Sequence, residues 1–268
     1  MEKLDEFIAL SEIDQGINEM EAVIPCESLI GTRDATKECA LFKKALSHFV
    51  KCDGEKPVFV YIMDVNYVPK NRRGPQASAV RARFVNDGNA TTRTRAILCR
   101  KSLLGRLRME WDPGTRKVRP VQQAVAPQGC SARGAKRRRK EGTQGSRIVD
   151  PSRVPFSVNL KKEEPSREDL LKEGVSSGGL RIASVRLQQR WSAYPHRNIR
   201  VDFCKISQGN SKMEACAQEP RFCIEVEVIH DNVEDVDSQK PDVMQKNRMI
   251  IREQFLQAVE KIFTGCGK

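Results

Sequence analysis

The chain is poor in aromatic residues and histidine, and it has no long apolar run. Its 268 residues are 6% aromatic and 39% hydrophobic, which predicts a modest core and some irregular segments. The lack of an apolar run of about 18 residues argues against a membrane-spanning helix, and the sequence has no secretory signal. We therefore expect a soluble, intracellular protein that does not bind membranes.

Metal-binding cysteine spacings are also absent. The nine cysteines include no Cys-x-x-Cys pair, and the three histidines are far apart in the sequence. These spacings argue against a zinc site. In an intracellular chain, an odd and scattered set of cysteines predicts reduced, buried thiols.

The net charge of +12 is concentrated in the middle of the chain. Residues 57–148 hold 21 basic and 5 acidic residues, a balance of +16, whereas residues 1–56 have a balance of −5. A block this basic predicts a polyanionic partner such as RNA. The alternative is a solubilising surface with a nuclear-import signal, for which the run Lys136–Lys140 would suffice.

The segment 221–229 alternates between apolar and polar residues, as a β-strand does. Glu225 and Glu227 point to the same side, one pleat repeat (about 7 Å) apart. Glutamate is a poor strand former, and two carboxylates at this spacing can share a hard divalent cation such as Mg²⁺ or Mn²⁺. The alternative is an edge strand with a solvated polar face.

Periodicity predicts helices and strands along the whole chain, which we treat as a single domain over residues 1–268. Helices are predicted at residues 1–22, 36–50 and 242–263. Strands are predicted at residues 58–68, 78–85, 95–101, 154–160, 180–191, 198–206 and 221–229. A basic, low-complexity insertion at about 120–150 and a flexible segment at about 161–179 interrupt them.

Many strands with few helices predict an α+β fold in which an antiparallel sheet closes into a β-barrel with flanking helices. Three strands carry polar side chains at period two, namely Arg81 and Arg83; Arg186, Gln188 and Arg190; Glu225 and Glu227. Inside a barrel, the arginines could bind phosphate oxygens while the carboxylates hold a metal. On exposed faces the same side chains would be ordinary solvated groups.

The order of these motifs resembles the RNA 5′-triphosphatases of fungal and protozoan mRNA capping, members of the triphosphate tunnel metalloenzyme family. Glu225-Val226-Glu227 is similar to the last acidic strand of that family, residues 186–192 to its Arg-x-Lys-x-Arg-x-Ser strand, and residues 199–205 to its strand with a buried aspartate. Residues 79–83 resemble its phosphate-binding arginine strand, and residues 99–101 its lysine-bearing strand. The resemblance covers about residues 55–230.

The resemblance implies an eight-stranded antiparallel tunnel that removes the γ-phosphate from triphosphate-ended RNA in the first step of mRNA capping. It implies Mg²⁺ or Mn²⁺ as the cofactor, with Glu225 and Glu227 as ligands. The other implied site residues are Arg186, Arg190, Arg81, Arg83, Lys101 and Asp202. The implied partners are triphosphate-ended RNA, RNA guanylyltransferase and RNA polymerase II, in the nucleus.

The sequence departs from the family pattern at two places. Gln188 replaces a tunnel lysine, and the Glu-x-Glu strand that opens the family is expected to be degenerate here. Its nearest match is taken as residues 24–32, where Glu27 would be a metal ligand and Pro25 would replace the first glutamate. Two alternative functions therefore stay open: a non-catalytic scaffold, as in Mediator head subunits, and hydrolysis of free triphosphates or polyphosphate.

Overall fold

A computed structural model describes residues 1–13, 18–53, 56–70, 80–86, 95–121, 153–165, 179–229 and 241–267. The strands in these ranges are β1 (Asn18–Pro25), β2 (Val58–Pro69), β3 (Val80–Asn86), β4 (Arg95–Asp112), β5 (Lys117–Pro120), β6 (Val154–Pro165), β7 (Leu180–His196), β8 (Ile199–Gly209) and β9 (Arg221–Val228). The helices are α1 (Glu2–Ile13), α2 (Cys26–Ile30), α3 (Ala35–Asp53), α4 (Lys212–Ala217) and α5 (Pro241–Gly265).

The fold is α+β, and its strands form one antiparallel sheet of nine. The strand order is β3-β2-β7-β8-β9-β1-β6-β4-β5, and β3 pairs with β4 as well as with β2. β4 is long enough to have three partners, because its start pairs with β3, its middle with β6 and its end with β5. Eight strands therefore have a hydrogen-bonded neighbour on both sides, and β5 is an addition to β4.

The helix predicted over residues 1–22 is wrong at residues 18–22, because residues 18–25 form strand β1, and residues 14–17 lie outside the described residues. Met20, Ala22 and Glu21 are good helix formers, and their composition favoured a helix. Strand β1 has β6 on one side and β9 on the other, in register over six residue pairs with each. This pairing overrides the local preference, as tertiary context often does.

The other predicted elements correspond to observed ones. Helices at residues 36–50 and 242–263 match α3 and α5, and the seven predicted strands match β2, β3, β4, β6, β7, β8 and β9. The insertion at about 120–150 lies outside the described residues except at its first two positions. Of the flexible segment at 161–179, residues 161–165 belong to β6, residues 166–178 are not among those described, and Gly179 precedes β7.

A hydrophobic core lies between one face of the sheet and the helices α1, α2, α3 and α5. Trp111 of β4 stacks on Phe263 of α5, with ring centroids 5.2 Å apart. Phe42 of α3 meets Phe203 of β8 edge-on at 5.9 Å. Such aromatic pairs add to the stabilisation from buried area, so they fix the helices on this face. Among the described residues, no helix is both long and apolar enough to cross a membrane.

Gly105 lets helix α1 approach β4 closely. A Cβ at this position would lie 2.7 Å from Cζ of Phe7, so a larger residue would displace that ring. Where β4 pairs with β6, the register shifts between Leu103 and Gly105, which breaks the alternation of the strand. The strand predicted at residues 95–101 therefore covers only the first part of β4.

The opposite face of the sheet, which we call the polar face, carries charged and amide side chains. By register it includes Glu19, Glu21, Asp64, Arg81, Arg83, Asn159, Lys161, Arg186, Gln188, Arg190, Ser192, Arg200, Asp202, Cys204, Cys223, Glu225 and Glu227. The core helices lie on the other face, yet Asp64, Gln188 and Asp202 are at most 5% exposed. The polar groups are therefore largely withdrawn from water by one another and by the curvature of the sheet.

Candidate functional site

Two Glu-x-Glu pairs lie side by side on the polar face. Strand β1 carries Glu19 and Glu21, and β9 carries Glu225 and Glu227. The antiparallel register places Glu21 directly opposite Glu227, so all four carboxylates point to the same side. Like charges directly opposite each other on neighbouring strands are destabilising, so this cluster requires nearby cations.

Three basic side chains contact the carboxylate cluster. Lys161 of β6 forms an ion pair with Glu21, and Arg200 of β8 forms one with Glu227. Nη2 of Arg186, on β7, lies 3.6 Å from Oε1 of Glu225. Each of these three glutamates therefore has a basic partner on a different strand.

The pKa values of two basic groups reflect this environment. Burial lowers the pKa of the Lys161 ammonium, and the charge of Arg186 adds to the effect, while Glu225, Glu19 and Glu227 oppose it. For Arg200, burial also acts to lower the pKa, but the carboxylates of Glu227 and Asp202 outweigh it, so the pKa is raised. Charges from five strands, namely β1, β6, β7, β8 and β9, therefore act on one another in one part of the polar face, which we call the chamber.

Arg186 and Arg190 of β7 retain hydrogen-bonding capacity in this chamber. The Nε atom of each is buried and has no hydrogen-bond partner among the described residues. Nη1 of Arg190 lies 3.6 Å from Oδ2 of Asp202, which holds one end of its guanidinium group. A buried, unsatisfied N–H donor is unfavourable unless a ligand accepts from it. The two arginines are therefore suited to bind an anion with several oxygen atoms.

Asp202 orients its neighbours on the polar face. Ser192 Oγ donates to its Oδ1 at 2.6 Å, and Arg200 Nε donates to its Oδ2 at 3.1 Å. Asp202 is only 2% exposed. Because both oxygens accept bonds from the protein, Asp202 holds Arg190 and Arg200 in place and is poorly placed to contact a ligand itself.

A second arginine pair lies on β3 and is bound to a carboxylate of β2. Arg83 donates to Asp64 from Nε at 2.8 Å and from Nη2 at 3.2 Å, a bidentate arrangement. Nη1 of Arg81 lies 3.6 Å from the same carboxylate. Asp64 is 1% exposed and was not a sequence candidate. It offsets one of the two positive charges, so this pair is less cationic than its sequence suggests.

The structure brings most of the candidate residues together. The polar face holds Arg81, Arg83, Arg186, Arg190, Asp202, Glu225 and Glu227. Glu27 does not join them, since it lies exposed on α2. The backbone of Lys101 lies in β4 opposite residue 163, but its side chain is outside the described part of the structure. Its role stays a prediction.

The expectation that the chain lacks an intact first Glu-x-Glu is wrong. Residues 19–21 read Glu-Met-Glu, and these two glutamates lie six positions before Pro25 and Glu27. The signal that could have revealed them is the alternation of Glu19, Glu21 and Val23 with buried Met20 and Ile24 on the other side. Lys161, Arg200 and Asp64 were also missed, because pairing partners on other strands are not visible in the pattern of one strand.

No family model matches the chain, and no curated protein does. The chain is similar to solved structures of RNA triphosphatases. The RNA triphosphatase domain of a mimivirus mRNA capping enzyme is 11% identical, with a TM-score of 0.49 and coverage of 94% of this chain and 96% of that one. The Pct1 RNA triphosphatase of S. pombe, solved with the Spt5 CTD, is 12% identical, with a TM-score of 0.47 and coverage of 94% and 91%.

A third similar structure is the HpAC1 protein of Hippeastrum, which has a dominant triphosphatase activity. It is 11% identical, with a TM-score of 0.33, and the match covers 90% of this chain and 88% of that one. Identities this low and TM-scores below 0.5 leave the activity to be argued from the side chains of the site.

A polar cavity of about 470 Å³ adjoins the chamber. Its lining includes Ser184 and Gln208, and Gln208 is opposite Arg186 in the register of β7 and β8. Arg33 and Arg221 line it as well. Glu214 and Glu219 line it too, so a ligand bound at Arg186 could extend into a polar space whose basic and acidic side chains balance.

Proposed function

We propose that this protein is a metal-dependent polynucleotide 5′-triphosphatase, which removes the γ-phosphate from triphosphate-ended RNA in the first step of mRNA capping. One observation carries the proposal: buried arginine donors lie on the same polar face as the two Glu-x-Glu pairs. Carboxylates can hold a metal while arginines bind the phosphates that it bridges. Carboxylates and arginines together suit a metal-bound triphosphate better than they suit a metal ion alone or a phosphate alone.

The proposed architecture is an eight-stranded antiparallel barrel with the polar face inside. The pairing of β3 with both β2 and β4 supports it. So does the contact of Arg186 with Glu225. By register, Glu225 is opposite Asp202, and Asp202 is opposite Ser192 of β7. Arg186 lies six residues from Ser192 on the same strand, a distance of about 20 Å. A flat sheet would keep the side chains of Arg186 and Glu225 apart, whereas a strongly curved one brings them together.

The carboxylate cluster suits a hard divalent cation. Its donors are all oxygen atoms, which Mg²⁺ and Mn²⁺ prefer. Glu21 and Glu227 are directly opposed, and Glu19 and Glu225 flank them. Among the described residues, no three of these four carboxylates offer oxygens within 4.8 Å of one another, so their side chains would have to draw together to hold the ion. When bound, the metal supplies charge stabilisation to the phosphoryl oxygens. Glu27, exposed on α2, is not part of this set.

The arginines of β7 are proposed to bind the phosphate oxygens. Arg186 and Arg190 would use the buried Nε donors that lack partners among the described residues. Arg190 is anchored at its other end by Asp202, which Ser192 in turn holds. A donor fixed before substrate binds can stabilise charge that develops in the transition state without further reorganisation.

A glutamate is proposed to orient the attacking water. Asp202 was the other candidate, but its oxygens accept bonds from Ser192 and Arg200, and its side chain is 2% exposed. The side chain of Glu227 is 15% exposed and lies in the carboxylate cluster. Glu227 also pairs with Arg200, but the greater exposure of its side chain makes it the better-placed of the two acceptors for a proton of the water.

RNA is the proposed substrate because the middle of the chain is strongly basic. We further propose a nuclear protein that works with RNA guanylyltransferase and RNA polymerase II, as the sequence resemblance implies. The alternative substrates are free triphosphates and polyphosphate, which would use the same chamber. The scaffold alternative was founded on a missing glutamate, and the presence of Glu19 and Glu21 on β1 removes that reason for it.

Phosphate release tests this function. Purified protein should release phosphate from triphosphate-ended RNA only with Mg²⁺ or Mn²⁺, and faster than from GTP or tripolyphosphate. Glu21→Gln should lower the rate by roughly 100-fold or more, since metal-dependent charge stabilisation is worth several kcal/mol. The matched control is Glu27→Gln, which changes an exposed glutamate of α2 and should leave the rate unchanged.

The outcomes separate the alternatives. Equal rates on RNA and tripolyphosphate would favour a free-triphosphate hydrolase. No metal-stimulated release from any of the three substrates would favour the scaffold. If Glu27→Gln were as damaging as Glu21→Gln, the proposed metal ligands would be incorrect.

A further inference from the structure

Two cysteines and a glutamate converge on the polar face. Cys204 of β8 is directly opposite Cys223 of β9, and Glu225 is two residues further along β9. Sγ of Cys223 lies 3.7 Å from Oε1 of Glu225, and Sγ of Cys204 lies 3.8 Å from Oε2. Two sulfur atoms and a carboxylate oxygen from the three residues lie within 4.8 Å of one another. Both cysteines are free thiols.

These separations match the ligand spacing of a tetrahedral zinc site. Bonds of about 2.3 Å to sulfur and about 2.0 Å to oxygen, at the tetrahedral angle, place sulfur and oxygen ligands about 3.5 Å apart. The same geometry places two sulfur ligands about 3.8 Å apart. The two measured separations run to different oxygens of Glu225, so one ion would bind both oxygens, or a rotation of the carboxylate would bring one oxygen to both sulfurs. A fourth position would be left for water.

The surroundings also fit bound sulfur ligands. Nε2 of Gln188 donates to Sγ of Cys204 at 2.8 Å, and Gln188 is 5% exposed. An amide that donates to a metal-bound thiolate orients it and stabilises its charge. The amide of Gln188 is uncharged, so it gives Cys204 a neutral partner. Neither cysteine has an assigned role in phosphate chemistry.

We propose that Cys204, Cys223 and Glu225 form a binding site for a thiophilic divalent cation such as Zn²⁺, separate from the oxygen-only site for Mg²⁺ or Mn²⁺. Thiolates bind zinc and cadmium and are poor ligands for magnesium. Glu225 belongs to both ligand sets. A zinc ion on the cysteines therefore withdraws a carboxylate from the other site, so that the two ions compete. This competition, unlike zinc binding itself, depends on the proposed hydrolysis.

Cadmium binding to the reduced, metal-free full chain tests the site. Cd²⁺ bound to thiolates gives an ultraviolet charge-transfer absorption, and we expect one equivalent to bind to the wild type with that absorption. Cys204→Ala and Cys223→Ala should each weaken binding by about 100-fold or more, because even the loss of a hydrogen bond to a metal ligand costs roughly 10- to 100-fold. Cys216→Ala, which changes an exposed cysteine on α4, should bind as the wild type does.

Glu225→Gln is the second variant, since it keeps both buried cysteines if either alanine variant fails to fold. It should weaken Cd²⁺ binding, and the charge-transfer absorption of the bound ion should still correspond to two thiolates. A wild type without the absorption, or an absorption that persists at full affinity in folded Cys204→Ala and Cys223→Ala, would overturn the proposal. So would equal weakening by Cys216→Ala. No substrate is present in these titrations, so their outcome is independent of whether the protein hydrolyses RNA.

If the protein is a hydrolase, the competition can be measured as well. One equivalent of Cd²⁺ or Zn²⁺ should inhibit Mn²⁺-supported phosphate release by the wild type. Cys223→Ala, compared with its own rate without Cd²⁺, should resist that inhibition. Equal inhibition of both proteins would mean that the ion acts at the carboxylates alone, which would overturn the shared role of Glu225.

Discussion

The two arginine pairs of the polar face look alike in the sequence and differ in the structure. Arg81 and Arg83 on β3 both contact the carboxylate of Asp64, and Arg83 binds it through two hydrogen bonds. Arg186 and Arg190 on β7 have buried Nε atoms without a partner in the described ranges. The same period-two spacing therefore gives Arg83, whose donors are bound by Asp64, and two arginines of β7 that each keep a buried Nε donor for a ligand.

This difference shows what partners on neighbouring strands contribute. Asp64 faces Arg83 in the register of β2 and β3 and faces Arg186 in the register of β2 and β7. Its bidentate bond goes to Arg83, so the charge of Arg186 is left for Glu225, 3.6 Å away, and for a ligand. We therefore expect the β7 arginines to act mainly in catalysis and Arg83 of β3 mainly in stability.

The largest expected effect is that of Arg190→Ala. It removes a preorganised donor to developing charge and should lower the rate of phosphate release by roughly 10²- to 10³-fold. Arg190→Lys should restore only part of the rate, because an ammonium group lacks the planar fork of donors. Steady-state kinetics with triphosphate-ended RNA would measure both. A loss below tenfold for the alanine variant would place phosphate binding elsewhere.

Arg83→Ala should affect stability more than rate. Removing it leaves Asp64 buried, with Arg81 as its remaining ion-pair partner among the described residues, and breaking a buried pair on one side is destabilising by up to about 3–5 kcal/mol. The remaining cation reduces that loss, so we expect about 2 kcal/mol in denaturant unfolding and a rate loss of about tenfold. A stable variant with a rate as low as that of Arg190→Ala would remove the distinction between the two pairs.

Arg83→Ala has a matched control on the same sheet. Arg119 also bridges strands, since its guanidinium contacts Glu110 and Asp112 of β4. Its side chain is 41% exposed, against 21% for Arg83. Arg119→Ala should therefore change both stability and rate much less, because exposed ion pairs contribute little.

The acidic strands show how much of the site the sequence could predict. The prediction for β9 was successful because β-branched and aromatic residues alternate with Glu225 and Glu227 over the whole strand. Strand β1 has the same Glu-x-Glu, but Met20 and Ala22 stand where β9 has β-branched residues. Eight residues of this composition fit a helix period as well as a strand period. Only pairing with β6 and β9 decides between them.

Contacts between residues that are far apart in the sequence could not be predicted from the periodicity of single strands, for a different reason. Lys161 is 140 positions from Glu21, and Cys204 is 19 from Cys223, so neither pair has a local signature. The register of β6 with β1 and of β8 with β9 creates both. The spacing argument against a cysteine metal site considered neighbours along the chain, whereas a sheet supplies neighbours across strands.

Ser192→Ala should have the smallest effect, and it tests how Arg190 is positioned. Ser192 donates to Asp202 at 2.6 Å, and Asp202 holds Arg190. Losing a hydrogen bond to a charged group costs about 1.5–3 kcal/mol. Only part of that should reach the transition state, so we expect kcat to fall about three- to tenfold with KM nearly unchanged. Ser11→Ala is the control, because Ser11 is a buried serine whose Oγ donates to the carbonyl of Ile8 within α1, on the core side of the sheet. If both variants lowered kcat and stability equally, Ser192 would have a structural role only.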